Sequence, residues 1–361
     1  MSRANVSMRE IARKAGVSVS AVSLALRNQP RVSVGERERI QAIARRLGYR
    51  RDPEVARLME HLRTARSARR GSTLAIIVPE LDREGLAGYF PITEMVKGIR
   101  TQADEAGFGT DLFFLTDRGM TPTRLRGILL ARSIKGVIIA PYASGVGTLE
   151  MDMTGLCAAT AGYSIIQPSV HRACPNYLQM MDELIDHLQR LHFQRIGFIM
   201  TYHRGGIGHK LLTSSYLYYQ SLLPARERIP ILPLESVNQR DIASWLERHR
   251  PEVVISSGRV FSLLQGMGLA VPGDLYFANL DLSEPPRQAA GMDHRYQLVG
   301  SEAANLVLSQ FTLNLTGIPE NPKVVLVDSH RRDGFTLPTR PLDVDAATAP
   351  VQKRFVRAEG T

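Results

Sequence analysis

Residues 7–26 read SMREIARKAGVSVSAVSLAL, and this stretch decides the fold of the N-terminal part of the chain. Ser7 and Glu10 have the spacing of a capping box, so a helix is expected to begin directly after Ser7. Gly16 is expected to end that helix, because glycine readily adopts the left-handed conformation that follows many helices. Ser18 can then cap a second short helix. The spacing therefore predicts two helices joined by a tight turn.

The second of these helices has an apolar inner face and a small, polar and basic outer face. At 100° per residue, Val22, Ala25 and Leu26 point to one side. The opposite side carries Val19, Ser20, Ser23, Leu24 and Arg27. Such a face fits a DNA major groove, where hydroxyls and a guanidinium meet base edges and an apolar tip meets a thymine methyl group. The alternative is a solvated face on a helical hairpin that has no DNA function.

Positive charge is concentrated in the same region of the chain. Residues 1–71 hold 17 Arg and Lys against 6 Asp and Glu, a net charge of +11, whereas the whole chain carries +10. The other 290 residues therefore have a net charge of −1. A basic segment on a nearly neutral body favours binding to a polyanion, because neutralised phosphates supply most of the non-specific affinity for nucleic acid.

Two further helices are expected before the body begins. Ser33 and Glu36 repeat the capping-box spacing and open a third helix, whose apolar stripe would close a three-helix core before Gly48. The stripe consists of Ile40, Ile43, Ala44 and Leu47. Asp52 can then cap a short helix in which Pro53 is the first residue, followed by an Arg-rich connection.

This arrangement resembles the LacI/GalR family of transcriptional repressors. The matching segments are Arg9–Ala12 continued through Gly16–Ser18, then Val22–Ser23, Val32–Ser33, Arg37–Ile40 and Leu47–Arg50. The resemblance implies that Val19, Ser20, Ser23 and Arg27 face the major groove, and that Ser18 and Ser33 cap helices beside phosphates. It also implies a hinge helix in which Leu58, with Val55 and Ala56 beside it, enters the minor groove at the centre of the operator. An apolar wedge of this kind partly unstacks a base step and bends the duplex.

The segment departs from the family pattern at two positions. Leu24 stands where an arginine is usual, so we expect an A·T pair with its methyl group in place of the usual guanine at that contact. Arg51 stands where a proline usually precedes the hinge cap, and the proline is displaced to Pro53. The hinge helix is still expected, because proline suits the first turn of a helix.

From Thr73 onward, apolar runs alternate with amphipathic stretches in a βαβ rhythm. The first set comprises strands at 74–79, 112–115 and 136–141 and helices at 92–106 and 123–132. A second set begins near His171, with helices at 177–191, 209–223, 240–250 and 260–267 and strands at 196–200, 231–234, 253–255 and 275–280. Two consecutive sets predict an α/β fold of two Rossmann-like parallel-sheet lobes, with a ligand cleft at the carboxyl ends of the strands.

The resemblance extends into this region and covers roughly residues 5–340. Its landmarks are Arg195–Ile199, Gly268–Leu275 and Gly317–Pro319, and it implies the periplasmic-binding-protein-like type I fold, in which the chain crosses between the lobes three times. The expected organisation is a small all-α helix-turn-helix head at 1–51, a hinge helix and linker at 52–72, a two-lobed body at 73–340 and a disordered tail at 341–361. The N-lobe would comprise about 73–165 and 296–322, and the C-lobe about 166–292 and 323–340.

Four residues are candidates for an effector site. Asp281 follows the last predicted strand, at a position where family members carry an aspartate that accepts sugar hydroxyls; a helix cap or an inter-lobe salt bridge is the alternative. Phe90 matches an aromatic residue that stacks on ligands, and Lys210 lies near the usual ligand-binding arginine. Ser257 and Gly258 stand where an Asn-Asp pair is usual, and Leu282 where a second aspartate is common. We therefore expect a small polar effector, such as a sugar derivative, that is not a plain hexose.

Other functional classes find little support in the sequence. No apolar run reaches the roughly 18 residues of a membrane helix and no signal peptide is recognisable, so a cytoplasmic protein without a membrane partner is expected. Cys157 and Cys174 are expected to be buried thiols, and the histidines lack metal-ligand spacing, so no metal or cofactor is predicted. Tyr216, Tyr218 and Tyr219 are assigned to core or interface, and Gly205–Gly208 lacks the Lys-Ser/Thr of a P-loop.

The sequence therefore predicts a non-enzymatic, DNA-binding transcriptional regulator, most simply a repressor. It would bind a pseudo-palindromic operator as a homodimer and respond to its effector through a change in lobe angle. The alternatives are a solute-binding or sensor protein of the periplasmic type, which the basic head contradicts, and an α/β enzyme, which would need a titratable constellation at the strand ends.

Overall fold

The computed structural model describes residues 8–17, 22, 25, 34–47, 72–201, 206–234 and 238–342. The chain forms two compact units, an N-terminal head (Met1–Arg70) and a body (Gly71–Thr361). The predicted hinge helix with Val55, Ala56 and Leu58 lies outside the described residues, as do residues 343–361 of the predicted tail.

The described part of the head has the predicted helices and core. Helix α1 spans Met8–Ala15 and α2 spans Val34–Arg46. Gly16 has a φ of +64°, the left-handed conformation expected at the end of α1. The buried residues form one apolar cluster of Ile11, Ala12, Ala15, Val22, Ala25, Ile40 and Ala44, with Val17, Ile43 and Leu47 packed against it. The predicted inward direction of Val22 and Ala25 and the predicted apolar stripe of the following helix are thus confirmed.

The body contains fourteen strands and eight α-helices within the described ranges. The strands are β1 Thr73–Val78, β2 Gly109–Phe114, β3 Gly136–Ile139, β4 Gly147–Thr148, β5 Cys157–Ala161, β6 Ile165–Gln167, β7 His171–Pro175, β8 Ile196–Thr201, β9 Leu232–Leu234, β10 Val253–Ser256, β11 Tyr276–Asn279, β12 Gly291–Asp293, β13 Val324–Val327 and β14 His330–Arg332. The helices are α3 Arg83–Gly88, α4 Phe90–Glu105, α5 Pro122–Ala131, α6 Tyr177–Arg190, α7 Ile207–Ser221, α8 Gln239–His249, α9 Gly258–Gly266 and α10 Tyr296–Leu313.

These strands build two six-stranded sheets, one in each lobe. The first has the order β13-β7-β5-β3-β1-β2 and is parallel throughout. The second has the order β14-β12-β11-β10-β8-β9 and is parallel apart from the antiparallel pair β12–β14. Apolar clusters cover both faces of each sheet, with α4 and α10 on one face of the first sheet and α5 on the other. The predicted α/β fold with two parallel-sheet lobes is confirmed.

The boundary between the lobes differs from the prediction. Strand β7 (His171–Pro175) pairs with β5, and β13 (Val324–Val327) pairs with β7, so all three belong to the first sheet. The chain therefore enters the second lobe after Pro175, rather than at residue 166, and enters it again after Val327, rather than at residue 323. The sequence CAATA of β5 contributes to the difference, because Thr160 is its only β-branched residue and the other four are alanine or cysteine, a weak signal for a strand.

The start of the predicted tail also differs. Leu342 packs against the core of the second lobe, and its backbone N–H donates to the carbonyl of Leu191 at 3.2 Å. The body therefore continues two residues past the predicted end at residue 340.

The three chain crossings between the lobes are hydrogen-bonded to one another. The side-chain amide of Asn176 donates to Asp328 at 2.8 Å, and the Asn176 backbone N–H donates to Val327 at 2.8 Å. His294 Nδ1 and Ser329 Oγ are 3.4 Å apart. Since these residues come from the first, second and third crossing, the contacts hold the three connections side by side.

Other side chains that the sequence singled out lie in the core. Cys157 and Cys174 are buried and unpaired, as predicted, and burial raises their pKa values to about 11 and about 12. Tyr216 and Tyr219 are buried in the second lobe, whereas Tyr218 is 67% exposed. No described helix has both the length and the apolar character needed to cross a bilayer.

The single tryptophan of the chain lies in the second lobe. Trp245 is buried, and its indole N–H donates to the carbonyl of Pro230 at 3.0 Å. Gly197 on β8 lies directly against the ring, since a Cβ there would come within 2.5 Å of the indole. The absence of a side chain at residue 197 therefore makes room for the tryptophan.

Two glycines set the distance between α4 and α10 in the first lobe. A Cβ on Gly98 would lie 1.8 Å from the carbonyl oxygen of Gln297, and a Cβ on Gly300 would lie 2.0 Å from that of Met95. The obstacles are backbone atoms, which cannot rotate away as a flexible side chain could. The two helices can cross this closely only because both contact positions lack a side chain.

We predict that Gly98→Ala destabilises the protein by about 1–3 kcal/mol, because the added methyl group forces α4 and α10 apart. Gly127→Ala on α5 is the matched control, since its Cβ would meet nothing within 4 Å. This control should be neutral or stabilising, by roughly 0.5–1 kcal/mol. Urea denaturation of both variants measures the difference, and equal stability of the two would contradict the assigned helix contact.

Candidate functional site

A cavity of about 520 Å³ lies between the two lobes of the body. Its walls include segments that directly follow strand ends: Pro141–Ala143 after β3, Gly162–Ser164 after β5 and Leu280–Asp281 after β11. This is the location at which the sequence predicts a ligand cleft.

Three of the four predicted effector residues line this cavity. Phe90 belongs to the first-lobe wall, and Ser257 and Asp281 belong to the second-lobe wall. Lys210 is exposed on α7 and is not part of the lining, although the preceding residue, His209, is. The predicted DNA-contacting residues are Ser18, Val19, Ser20, Ser23, Leu24, Arg27, Ser33, Val55, Ala56 and Leu58, and all of them lie outside the described residues.

Asp281 forms a hydrogen-bonded link between the lobes. Its Oδ2 accepts from the hydroxyl of Tyr296 at 2.6 Å, and its Oδ1 accepts from the backbone N–H of Ser283 at 2.8 Å. His294 Nε2 lies 3.9 Å from Oδ2. Burial, together with the charge of Asp281, raises the pKa of Tyr296, so this hydroxyl stays protonated and acts as a donor. Since Tyr296 begins α10 of the first lobe, the inter-lobe contact expected as an alternative role of Asp281 is present as a hydrogen bond.

Phe90 and Arg287 form a second contact between the lobes. The guanidinium of Arg287 lies 4.3 Å from the centre of the Phe90 ring, a cation–π geometry. Phe90 begins α4 in the first lobe, whereas Arg287 lies in the loop that follows β11 in the second lobe. Such a contact contributes on the order of 0.5–1 kcal/mol at an exposed site.

Aromatic side chains dominate the rest of the lining. The rings of Tyr163 and Tyr177 are 5.9 Å apart, those of Tyr177 and His294 are 5.4 Å apart, and those of His294 and Tyr296 are 5.3 Å apart. Tyr89 and Tyr142 also line the cavity. Burial raises the pKa of Tyr163 to about 12, so this phenol is a neutral hydrogen-bond donor at physiological pH.

The second-lobe wall contains buried polar atoms that have no hydrogen-bond partner. They are Ser257 Oγ, Ser283 Oγ and Glu284 Oε2. Buried polar atoms are normally satisfied, and each one that is left unpaired costs free energy. The carboxylate of Glu284 also accepts the backbone N–H of Arg259 at the start of α9, where Ser257 provides no side-chain cap.

Burial raises the pKa of Glu284, and the negative charge of Asp281 raises it further, while Arg259 opposes both effects. The sequence reasoning did not identify Ser283 or Glu284. The sequence pattern that could have identified them is the segment Asp281–Pro286, which reads DLSEPP. It places two acids and a hydroxyl just after a buried strand.

The glycines at the start of α7 have a packing role. Gly208 lies against the ring of Tyr177, and a Cβ at this position would come within 2.6 Å of that ring. Close approach of an aromatic ring thus accounts for the glycine, and a phosphate is not needed to explain it. Among the described residues, no group of three or more His, Cys, Asp or Glu side chains could hold a metal ion.

Comparison with known proteins identifies the head. Residues 7–52 match the model of the bacterial regulatory proteins of the lacI family. The head is therefore similar to the lacI family of bacterial regulatory proteins. This agrees with the resemblance that the sequence motifs indicate, and the matched family consists of regulatory proteins rather than enzymes.

A curated relative of this chain is the maltose regulon regulatory protein MalI of Escherichia coli K12. The two are 27% identical over 202 residues, which is 54% of this chain and 53% of MalI. The alignment thus spans about half the length of that relative.

Solved structures share the fold at low sequence identity. A LacI-family transcriptional regulator from Rhizobium etli is 15% identical, with a TM-score of 0.56 over 73% of this chain and 98% of its own. The lac repressor dimer bound to operator and the anti-inducer ONPF is also 15% identical, with a TM-score of 0.52 over 92% of this chain and 99% of its own. The periplasmic-binding-protein-like body expected from the sequence is therefore confirmed.

We predict that Glu284→Gln stabilises the protein in the absence of a ligand and raises the melting temperature by roughly 1–4 °C near pH 7.5. The pKa of the native Glu284 is raised, so its ionised form destabilises the fold. That penalty is absent below the pKa of the unfolded chain and is complete above the native pKa, so the gain should shrink near pH 5.

Glu247→Gln is the control for this measurement, because Glu247 is exposed on α8. It should leave the melting temperature unchanged at both pH values. A Glu284→Gln variant that is less stable than the wild type near pH 7.5 would show that the carboxylate is a structural cap and carries no net burial penalty.

Proposed function

We propose that this chain is a DNA-binding transcriptional regulator, acting as a repressor, whose head binds a pseudo-palindromic operator. The observation that carries the proposal is the match of residues 7–52 to the lacI family, in a head whose core has the predicted apolar residues. The net charge of +11 in residues 1–71 supports binding to DNA phosphates. A regulator of this kind works in the cytoplasm and needs no membrane partner.

The major-groove contacts in this proposal are Val19, Ser20, Ser23, Leu24 and Arg27, with Ser18 and Ser33 beside phosphates. Leu58, flanked by Val55 and Ala56, acts as the minor-groove wedge. A homodimer presents two heads to the two half-sites and pairs two hinge helices at the centre. The fold shared with an operator-bound lac repressor dimer supports this arrangement.

The inter-lobe cavity is the proposed effector site. A small polar ligand bound there contacts Phe90, Ser257 and Asp281 and favours one of two lobe arrangements, which changes the affinity for the operator. Two of the contacts between the lobes, Asp281 with Tyr296 and Arg287 with Phe90, involve proposed ligand contacts. A ligand that engages these residues therefore competes with contacts that fix the lobe angle.

A solute-binding or sensor protein is the second candidate function, and the two-lobed body with its cleft is compatible with it. The family match of the basic head argues against it, because a solute-binding protein has no use for such a head. Binding of a selected DNA duplex with nanomolar affinity by the full chain would decide between the two.

We predict that Arg27→Ala weakens binding to the selected operator by about 1–3 kcal/mol and relaxes the preference at one base pair per half-site. Arg13 is exposed on α1. If it contacts a phosphate, Arg13→Ala should weaken operator and random duplexes equally and reduce the salt dependence.

These affinities can be measured by fluorescence anisotropy at fixed salt, after the operator has been selected from a random DNA pool. Arg248→Ala, at an exposed position on α8 in the body, is the control and should bind both duplexes like the wild type. Unchanged operator binding by Arg27→Ala would exclude the proposed docking face.

A second prediction separates the two roles of Asp281. A thermal-shift screen of sugars, sugar acids, sugar phosphates and amino acids provides the ligand. Asp281→Asn should weaken its binding at least tenfold, because the variant loses a charged acceptor. Tyr296→Phe removes the inter-lobe hydrogen bond but keeps the carboxylate, so it should preserve binding. If both variants lose binding equally, Asp281 acts through the lobe contact and does not touch the ligand.

A further inference from the structure

The second-lobe wall of the cleft carries two carboxylates in one short loop. Both oxygens of Asp281 accept hydrogen bonds, from Ser283 and Tyr296. Glu284 lies three residues further on and has one oxygen that is buried without any donor. A buried carboxylate oxygen in this state needs a hydrogen-bond donor, and a charged donor would give the strongest interaction.

Within the described ranges, no arginine of the cleft forms an ion pair with Asp281 or Glu284, although the charge of Arg259 partly offsets that of Glu284. Among the described residues, the lining contains two arginines and no lysine. Neither Arg259 nor Arg287 lies within 4 Å of a lining carboxylate, and the Arg287 guanidinium rests on Phe90 instead. In the part of the chain that the structure describes, the basic side chain within that distance of the pair is His294, whose Nε2 lies 3.9 Å from Asp281 Oδ2.

Tyrosine side chains line the same cavity as this loop. Tyr89, Tyr163, Tyr177 and Tyr296 all line the cavity together with the two carboxylates. Burial raises the pKa of Tyr89, and the charges of Asp281 and Glu284 raise it further, which is consistent with a negative field at this wall. Aromatic faces attract cations through their quadrupoles, most strongly where water is excluded.

A third feature is independent of the carboxylates. Ser283 is only 8% exposed, its hydroxyl has no hydrogen-bond partner, and it lines the cavity between the two acids. Ser257 Oγ is unpaired on the same wall. Each hydroxyl can accept an N–H bond, so this wall offers several acceptors to one multivalent donor.

We propose that the cleft binds a small molecule that carries a protonated amine, with Glu284 as the principal acceptor and Asp281, Ser283 and the tyrosine rings around the ammonium group. An ammonium group offers three donors and a positive charge, whereas an alcohol offers one donor and no charge. A neutral polyol would leave the charge of the carboxylate pair uncompensated. This inference rests on the proposed effector role of the cavity and names the chemistry of its ligand.

Matched amine and alcohol pairs test the proposal on the full-length protein. The pairs are glucosamine with glucose, putrescine with butane-1,4-diol, and tyramine with 4-(2-hydroxyethyl)phenol. Isothermal titration calorimetry should show at least one amine that binds tenfold or more tightly than its alcohol. Glu284→Gln should reduce that preference by tenfold or more, whereas the surface control Glu247→Gln should retain it.

The proposal is overturned if no amine in the three pairs binds more tightly than its alcohol, or if Glu284→Gln keeps the full preference. Operator binding is measured separately on the same wild-type sample. A protein that binds a selected operator but shows no amine preference contradicts this inference alone. A protein that prefers amines but binds all duplexes equally contradicts the proposed sequence-specific regulator and supports the proposed amine ligand.

Discussion

Three chain crossings meet in one small polar cluster, and the position of every cleft residue depends on it. Asn176, His294 and Ser329 each stand at a different crossing, and their hydrogen bonds hold the three connections together. Because α10 belongs to the first lobe and β12 to the second, neither lobe is a continuous piece of chain. A change of lobe angle would therefore involve all three connections.

The cleft beside this axis is not optimised for stability in its empty state. The loop after β11 concentrates two acids, an unpaired hydroxyl and a bare carboxylate oxygen in a partly buried position. Proteins commonly accept such costs where a ligand compensates for them. Two contacts between the lobes, Asp281 with Tyr296 and Phe90 with Arg287, use side chains that line the same cavity. A ligand at the proposed effector site would therefore meet side chains that also connect the lobes.

The sequence predicted most of the architecture because its signals were local. Capping-box spacing and the apolar stripe of Ile40 and Ala44 defined the head, and β-branched runs such as Leu74–Val78 defined the central strands. The strand Cys157–Ala161 was not predicted because four of its five residues are alanine or cysteine and Thr160 is its only β-branched residue. The error in the lobe boundary followed directly, since residues 171–175 pair with this strand.

Site residues that match a single family position could be predicted from the sequence. Site residues whose properties depend on neighbours in the folded chain could not. The resemblance to LacI/GalR repressors predicted Phe90, Ser257 and Asp281 as effector residues, and all three line the cleft. Lys210 points away from it, because one step along a helix rotates a side chain by about 100°. The raised pKa of Glu284 results from burial and from the nearby charge of Asp281, and neither can be read from the sequence.

The burial of Trp245 against Gly197 also determines which part of the protein its intrinsic tryptophan fluorescence monitors. All the indole fluorescence comes from the interior of the second lobe. An emission spectrum followed through denaturation thus registers the loss of one lobe, whereas far-ultraviolet circular dichroism registers both. If the unfolding midpoints from fluorescence and circular dichroism coincide, the body unfolds as a single cooperative unit held together by the three crossings. If the midpoints differ, the lobes unfold separately, and the difference between the midpoints reflects their difference in stability.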